Sequence, residues 1–357
     1  AMAALASEIA LAAGERTPRY LLKTTRKWAE RALLSPTRDI GLGGVHLPEP
    51  EVVGLSSYSE MAHHLKARCE VRLTSRYSGE KLSVATERLH QELQTVNALG
   101  YEAYFLAVAD IVDSARRSGI RVAARGSGAG SLICHLLGIS GVDPLEHGLL
   151  MERFCSTLRT DLPDIDIDVE SARRLEIYDQ VFARYNPDES WPHGPAQSTT
   201  VAMVETYRAR HAIRDVGAAL ALPHEEIDAL AKSLPHIRAK NITNALRELP
   251  ELRHISLNAP LGKAIVLAQQ LDKLPRHLSM HPCAVILADR GLLDRMPSQM
   301  GASGYLMSQW DKDDVESVGL LKLDILGVRM QSAMAHALHE IKRVDKKSIP
   351  LDEVALD

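Results

Sequence analysis

Two short stretches hold the residues with the most chemistry in them. From Pro163 the chain runs PDIDID, so Asp164, Asp166 and Asp168 alternate strictly with Ile165 and Ile167. In an extended strand this alternation puts the three carboxylates on one face and the isoleucines on the other. Three like charges on one face repel unless a cation holds them, and hard carboxylate oxygens suit Mg²⁺. Alternate strand residues lie roughly 6.5–7 Å apart, so Asp164 and Asp168 are about 13 Å apart at Cα. A tight metal cluster therefore uses a neighbouring pair and leaves the third carboxylate in a supporting role. Spacing alone does not say which pair. The second stretch, Arg125 to Ser131 (RGSGAGS), interleaves three glycines with small residues. Backbone N–H groups can then approach an anion without side-chain obstruction, which reads as a phosphate cradle.

These residues need elements to position them. Residues 101–118 form a strongly apolar helical pattern stopped by Gly119 as a C′ glycine, and residues 120–124 form a short strand entering the glycine turn. The run SLICHLLG after the turn is helical, and its N-terminus is expected to add the positive end of its dipole to the same site. A lone GSGAG is most simply a tight turn; the strand before it, the helix after it and the acidic strand beyond favour the cradle. A Walker loop requires Gly-Lys-Ser/Thr at the helix start, and no lysine stands between Arg125 and Ser131, so a P-loop is excluded. Further on, LLKLDIL alternates Leu321, Leu323 and Ile325 with Lys322 and Asp324, for which a buried charge pair is the plain account. The run VAMVETYRARHAIRDVG, taken at helical spacing, gathers Tyr207, Arg210, His211 and Arg214 on one face and Ala209, Ile213 and Val216 on another. The first face suits duplex phosphates, with a solvated surface as the plain alternative.

Composition sets the bounds. The 357 residues suggest two or more domains, and an apolar fraction of 45% supplies a core. A net charge of −4 does not advertise a nucleic-acid binder, and an aromatic content of 4% argues against base-stacking platforms. The four cysteines have no CxxC spacing and read as reduced thiols of a cytoplasmic protein. No run of 18 apolar residues and no basic leader before an apolar segment is present, so neither a membrane span nor a signal peptide is expected. The opening Ala-Met reads as a partial chain. The Pro/Gly/Ser-rich run NPDESWPHGPAQSTT is a loop.

The ordered runs GYEAYFLAVADIVDSARRSGI, RGSGAGS, GVDPLEHGLLMERF, PDIDID, HAIRDVG and QWDKDDVESVGLLKLDILGVR resemble the catalytic α subunit of bacterial C-family DNA polymerases, the DNA polymerase III α subunit family. QWDKDD is more similar to the error-prone branch than to the main replicase. The resemblance implies an α/β (α+β) fold: a polymerase β-like nucleotidyltransferase palm with a mixed sheet, plus a helical thumb. It divides the chain into the end of a PHP-like region (1–47), a linker (48–60), a first palm segment (61–185), a thumb with an inserted loop (186–275) and a second palm segment (276–357). Where the family commonly has Lys-His-Ala-Gly-Gly, Met280 to Ala284 match only at His281.

By the same resemblance Asp164, Asp166 and Asp324 are catalytic and hold two Mg²⁺ ions, with Asp168 in support. Arg125, Gly126, Ser127, Arg153 and Lys322 bind the dNTP triphosphate, and Tyr207, Arg208, Arg210 and Arg214 bind primer–template DNA. The expected activity is template-directed, error-prone or translesion DNA synthesis, with a sliding clamp and other replication or mutasome proteins as partners. The family continues past this point into fingers, a clamp-binding region and an OB domain. Two rivals therefore stand beside the polymerase: a non-catalytic polymerase-like module that binds DNA or partners, and a nucleotidyltransferase that works without a template.

Overall fold

Apolar periodicity and turn chemistry account for most of the element boundaries in the computed structural model, which describes residues 2–14, 18–39, 41–156, 163, 165–186, 196–252 and 259–349. The strands among them are β1 (Val122–Arg125), β2 (Asp166–Glu170), β3 (Ser198–Thr206), β4 (Pro275–Leu287), β5 (Ser298–Met300), β6 (Leu306–Ser308) and β7 (Leu321–Val328). They pair both parallel and antiparallel among many helices, which makes the class α/β with a mixed sheet. The chain divides into two units. Ala1–Ser198, Val285–Pro297 and Asp313–Asp357 form the first; Thr199–Ala284 and Ser298–Lys312 form the second.

In the first unit the helix Glu102–Arg117 is buried on nearly every side, from Ala103 through Ala109 and again at Ile111, Val112 and Ala115. A helix apolar all round belongs in a core. Gly119, at φ +69°, ends it: its N–H donates to Arg116 O and that of Ile120 to Ala115 O, satisfying carbonyls the helix leaves open. The chain then enters β1. Strand β1 lies antiparallel to β2, and β2 lies parallel to β7. In β2 the side chains of Ile167 and Val169 are buried while Asp166 and Asp168 are half-buried; in β7 Leu321, Leu323 and Ile325 are buried while Lys322 and Asp324 are half-buried. The period-2 alternation thus sends one face of each strand into the core and leaves the charged face open.

In the second unit, β3 pairs parallel with β6 through Thr200 and Met307, and β5 pairs antiparallel with β6. Its helices Ala209–Ala219, His224–Ser233, Ile242–Glu248 and Ala259–Gln270 bury a core of their own that includes Ile213, Ile227, Leu230, Ile242 and Ile265. The helical face drawn through Tyr207 in VAMVETYRARHAIRDVG is corrected here. Val201–Thr206 belongs to strand β3, and the helix opens only at Ala209. The β-branched run Thr199, Thr200, Val201, with Val204 and Thr206, favours extended backbone and overrides the helical spacing. Tyr207 therefore precedes the helix instead of sharing a helical face with Arg210 and Arg214.

Candidate active site

The register of three strands builds the charged face. Asp166 in β2 is the antiparallel partner of Arg125 in β1 and the parallel partner of Asp324 in β7. Neighbouring strands lie about 4.7–4.9 Å apart, and partners in register point to the same face, so the Asp166 and Asp324 carboxylates leave the sheet side by side. Lys322 Nζ sits 3.0 Å from Asp324 Oδ2. Arg125 Nη2 donates to Asp168 Oδ2 at 2.8 Å, with its Nε at 3.1 Å from the same oxygen. Among the described residues, Asp168 Oδ1 and Asp324 Oδ1 are buried with no hydrogen-bond partner. A buried carboxylate oxygen left so is costly unless a cation meets it. Asp164 lies outside the described residues. No three His, Cys, Asp or Glu side chains among the described residues are gathered closely enough to hold a metal by themselves. The donors from Asp166 and Asp324 are hard and anionic, and Asp324 Oδ1 is buried without a hydrogen-bond partner among the described residues, so the chemistry of the pair fits a divalent cation of the Mg²⁺ kind.

The glycine turn borders this face. Arg125, Gly126 and Ser127 are exposed, whereas Gly128 and Gly130 are buried. Gly126 has φ +75°, a conformation that L side chains rarely adopt, and a Cβ there would stand 3.6 Å from Asp166 Oδ2. The other two glycines serve packing. A Cβ at Gly128 would meet the Ile165 side chain at 3.6 Å, and one at Gly130 would come within 2.7 Å of Leu150 O. The glycine turn is thus pressed against the chain leading to the single turn Met151–Arg153, where Arg153 is exposed. Of the seven residues of RGSGAGS, Arg125 and Gly126 are thus placed against the carboxylates of β2.

One expectation about this turn fails. The helix after it, Leu132–Leu136, is only five residues long, and its N-terminus is already occupied. Leu132 N donates to Glu92 Oε1 at 3.0 Å, Ile133 N to Glu92 Oε2 at 3.1 Å and Ser131 Oγ to Glu92 Oε2 at 2.9 Å. A protein carboxylate has taken the place assigned to a ligand phosphate, so the dipole of this helix adds nothing to an external anion site. Glu92 was not singled out from the sequence, although its spacing offered a signal. It falls in the stripe Ala85, Leu89, Glu92, Val96, where every other member is apolar and buried. Tyr104 is a second buttress that the sequence did not single out: its buried hydroxyl accepts from Ile165 N at 2.6 Å and fixes the entry to β2.

The sequence profile of the bacterial DNA polymerase III alpha NTPase domain matches residues 63–327, a span that contains the glycine turn, β2 and nearly all of β7. The chain belongs to this family. The polymerase III α family members it resembles are named error-prone DNA polymerases, which places it with that branch. The one from Symbiobacterium thermophilum is 38% identical over 270 residues, 75% of this chain and 24% of that protein. Those from Pseudomonas paraeruginosa and Pseudomonas aeruginosa are 36% and 34% identical over 301 and 345 residues, 82% and 95% of this chain and 28% and 32% of theirs. The chain therefore spans about a quarter to a third of the length of these relatives.

The residues expected at DNA lie in the second unit and are differently circumstanced. Arg208 is exposed at the N-cap of the helix Ala209–Ala219. Arg210 Nε donates to Leu234 O at 2.8 Å, and Arg214 Nη2 pairs with Asp228 Oδ1 at 2.9 Å. Arg276 grips Asp215 through Nε at 2.7 Å, and that guanidinium holds the Asp215 carboxyl below its ordinary range despite an opposing effect of burial. Among the described residues no helix is long and apolar enough to cross a membrane.

Proposed function

We propose that this chain carries the catalytic palm of an error-prone DNA polymerase, transferring a nucleotidyl group from a dNTP to a primer 3′-hydroxyl under the direction of a template. The observation that carries the reading is the in-register pairing of Asp166 with Asp324 on adjacent parallel strands. Phosphoryl transfer asks little covalent chemistry of a protein and much positioning and charge neutralisation. Asp166 and Asp324, with Asp164, would hold two Mg²⁺ ions. Bound there, the ions supply activation of the 3′-hydroxyl and neutralise charge developing on the transferred phosphoryl and the leaving pyrophosphate.

The protein's own role is arrangement. Lys322 holds Asp324 in one orientation and keeps a positive charge at the edge of the site. Arg125 holds Asp168 and so directs its carboxylate toward support of the face. The exposed Gly126–Ser127 backbone receives the triphosphate, and Arg153 on the adjoining turn neutralises it. Primer–template contact falls first to Arg208, which is exposed. Tyr207, Arg210 and Arg214 come second, because Arg210 and Arg214 already spend donors on Leu234 O and Asp228.

Single-nucleotide incorporation on a primer–template tests the reading, in a protein extended to the length of the relatives. Asp324→Asn is expected to abolish incorporation while folding and DNA affinity persist. Undiminished incorporation by Asp324→Asn overturns the assignment.

A further inference from the structure

The helix Gly79–Leu99 buries Glu92 to 2% exposure within an otherwise apolar stripe. A carboxylate taken out of water is stable only when donors surround it. Arg88 Nε supplies one at 2.7 Å, and Ser131 Oγ, Leu132 N and Ile133 N supply three more. The same guanidinium reaches onward. Its Nη2 donates to Gly130 O at 3.2 Å and lies 3.4 Å from Leu149 O. One ion pair on one helix thus holds both the exit of the glycine turn and the chain leading into Met151–Arg153.

Capping alone does not call for this arrangement. Ser131 already caps the short helix by accepting from Cys134 N at 3.2 Å, and an apolar side chain at position 92 would continue the stripe. A buried ion pair is often no more stable than well-packed apolar residues, so what it adds here is a fixed relative geometry. We infer that Arg88 and Glu92 are positioning residues for nucleotide binding: they hold the exposed Arg125–Ser127 end of the glycine turn and Arg153 in the mutual arrangement that receives a triphosphate. This inference rests on the nucleotide-binding reading above.

Equilibrium titration of the chain with dATP and Mg²⁺ tests it in the wild type, Glu92→Gln, Arg88→Lys and Gly126→Ala. Glu92→Gln turns one accepting oxygen into an N–H₂ that faces donors. Arg88→Lys keeps the charge and loses the fork that spans Glu92 and two carbonyls. Each is expected to weaken dATP binding roughly tenfold or more, because a turn and an arginine no longer pre-arranged must be ordered when the triphosphate binds. Amide exchange at Leu132 and Ile133 should accelerate alongside. A purely structural cap would lower the melting temperature and speed that exchange with dATP affinity unchanged, and this outcome overturns the inference. Should Glu92→Gln fail to fold, Arg88→Lys reads the same quantity. Gly126→Ala separates the two readings. Lost affinity in Gly126→Ala with wild-type affinity in Arg88→Lys overturns the positioning role alone. Wild-type affinity in Gly126→Ala, or no dATP binding by the wild type, overturns the nucleotide site and the inference together.

Discussion

The charged face of β2 and β7 and the basic helices of the second unit both concentrate ionic residues, but they are finished to different degrees. On the strand face, Asp168 and Asp324 each have one oxygen held by a cation, while the other is buried without a hydrogen-bond partner among the described residues. In the second unit, Arg210, Arg214 and Arg276 each have a partner within their own unit. Satisfied charges hold a fold together, whereas charges left short of partners are poised for a ligand. The difference separates ion pairs closed within the fold from carboxylates with an oxygen still lacking a partner, and it does so where sequence patterns treat both alike.

The sharpest way to break this contrast is to neutralise the carboxylates. Asp166→Asn and Asp324→Asn are each expected to weaken Mn²⁺ binding, followed by the paramagnetic signal of free ion, by roughly a hundredfold, since a neutral amide is a poor substitute for an anionic ligand. Melting temperature should hold or rise, because repulsion between neighbouring like charges is removed. Unchanged Mn²⁺ affinity would return Asp324 to the plain charge pair with Lys322.

Glycines give the next largest effect. A Cβ at Gly130 would press within 2.7 Å of a backbone oxygen, that of Leu150, whereas one at Gly217 in the second unit would meet the Ile227 side chain at 2.7 Å. Backbone held by the Arg88–Glu92 network cannot yield, and a side chain can turn. Gly130→Ala should therefore destabilise by about 1–3 kcal/mol, the usual cost of overpacking. Gly217→Ala should cost less, offset by the roughly 1 kcal/mol that alanine gains over glycine inside a helix. Equal midpoints in urea would show the two regions to be equally pliant.

What could be read in advance follows from how far each signal reaches along the chain. The alternation of PDIDID and LLKLDIL is local, and it correctly put Asp166 and Asp168 on the open face of β2 and Asp324 on that of β7. That Asp166 lies opposite Asp324 depends on pairing between strands more than 150 residues apart in sequence, which no local pattern carries and only the family resemblance suggested. Helical spacing misplaced Tyr207, which follows β3 and precedes the helix, because the β-branched residues of Ser198–Thr206 outweighed it. The dipole expectation at Leu132–Leu136 failed for a tertiary reason: Glu92 arrives from a helix 40 residues upstream. Its place in an apolar stripe was visible, but not what it would meet.

Arginine replacements sharpen the comparison from the other side. If Arg208 alone is unspent, Arg208→Ala should lower the slope of log DNA affinity against log salt by about one unit, because one phosphate contact fewer releases its counterion. Arg210→Ala should leave that slope nearly unchanged and cost stability instead, about 1 kcal/mol for its hydrogen bond to Leu234 O. A full unit of slope lost in Arg210→Ala would mean that Arg210 contacts a phosphate despite its internal partner.

The smallest effect expected is a pH dependence in the first unit. His135 is buried, and its Nε2 lies 3.0 Å from Arg76 Nη1, so the neutral imidazole accepts from the guanidinium. Burial first, and the Arg76 charge second, depress its pKa below the ordinary 6.5, against a raising influence of Asp143. Between the depressed value and 6.5 the unfolded chain binds a proton that the folded chain refuses, so stability rises with pH across that window. The contribution is complete above 6.5 and is lost as pH falls through the folded value. Other histidines and the carboxylates titrate as well, so the measurement is a difference. Urea midpoints at pH 7.5 and 5.5 should lie closer together in His135→Gln, whose amide oxygen still accepts from Arg76 but takes up no proton, than in the wild type. An equal gap in both proteins would mean that His135 admits its proton in the folded state, with Asp143 outweighing burial and Arg76.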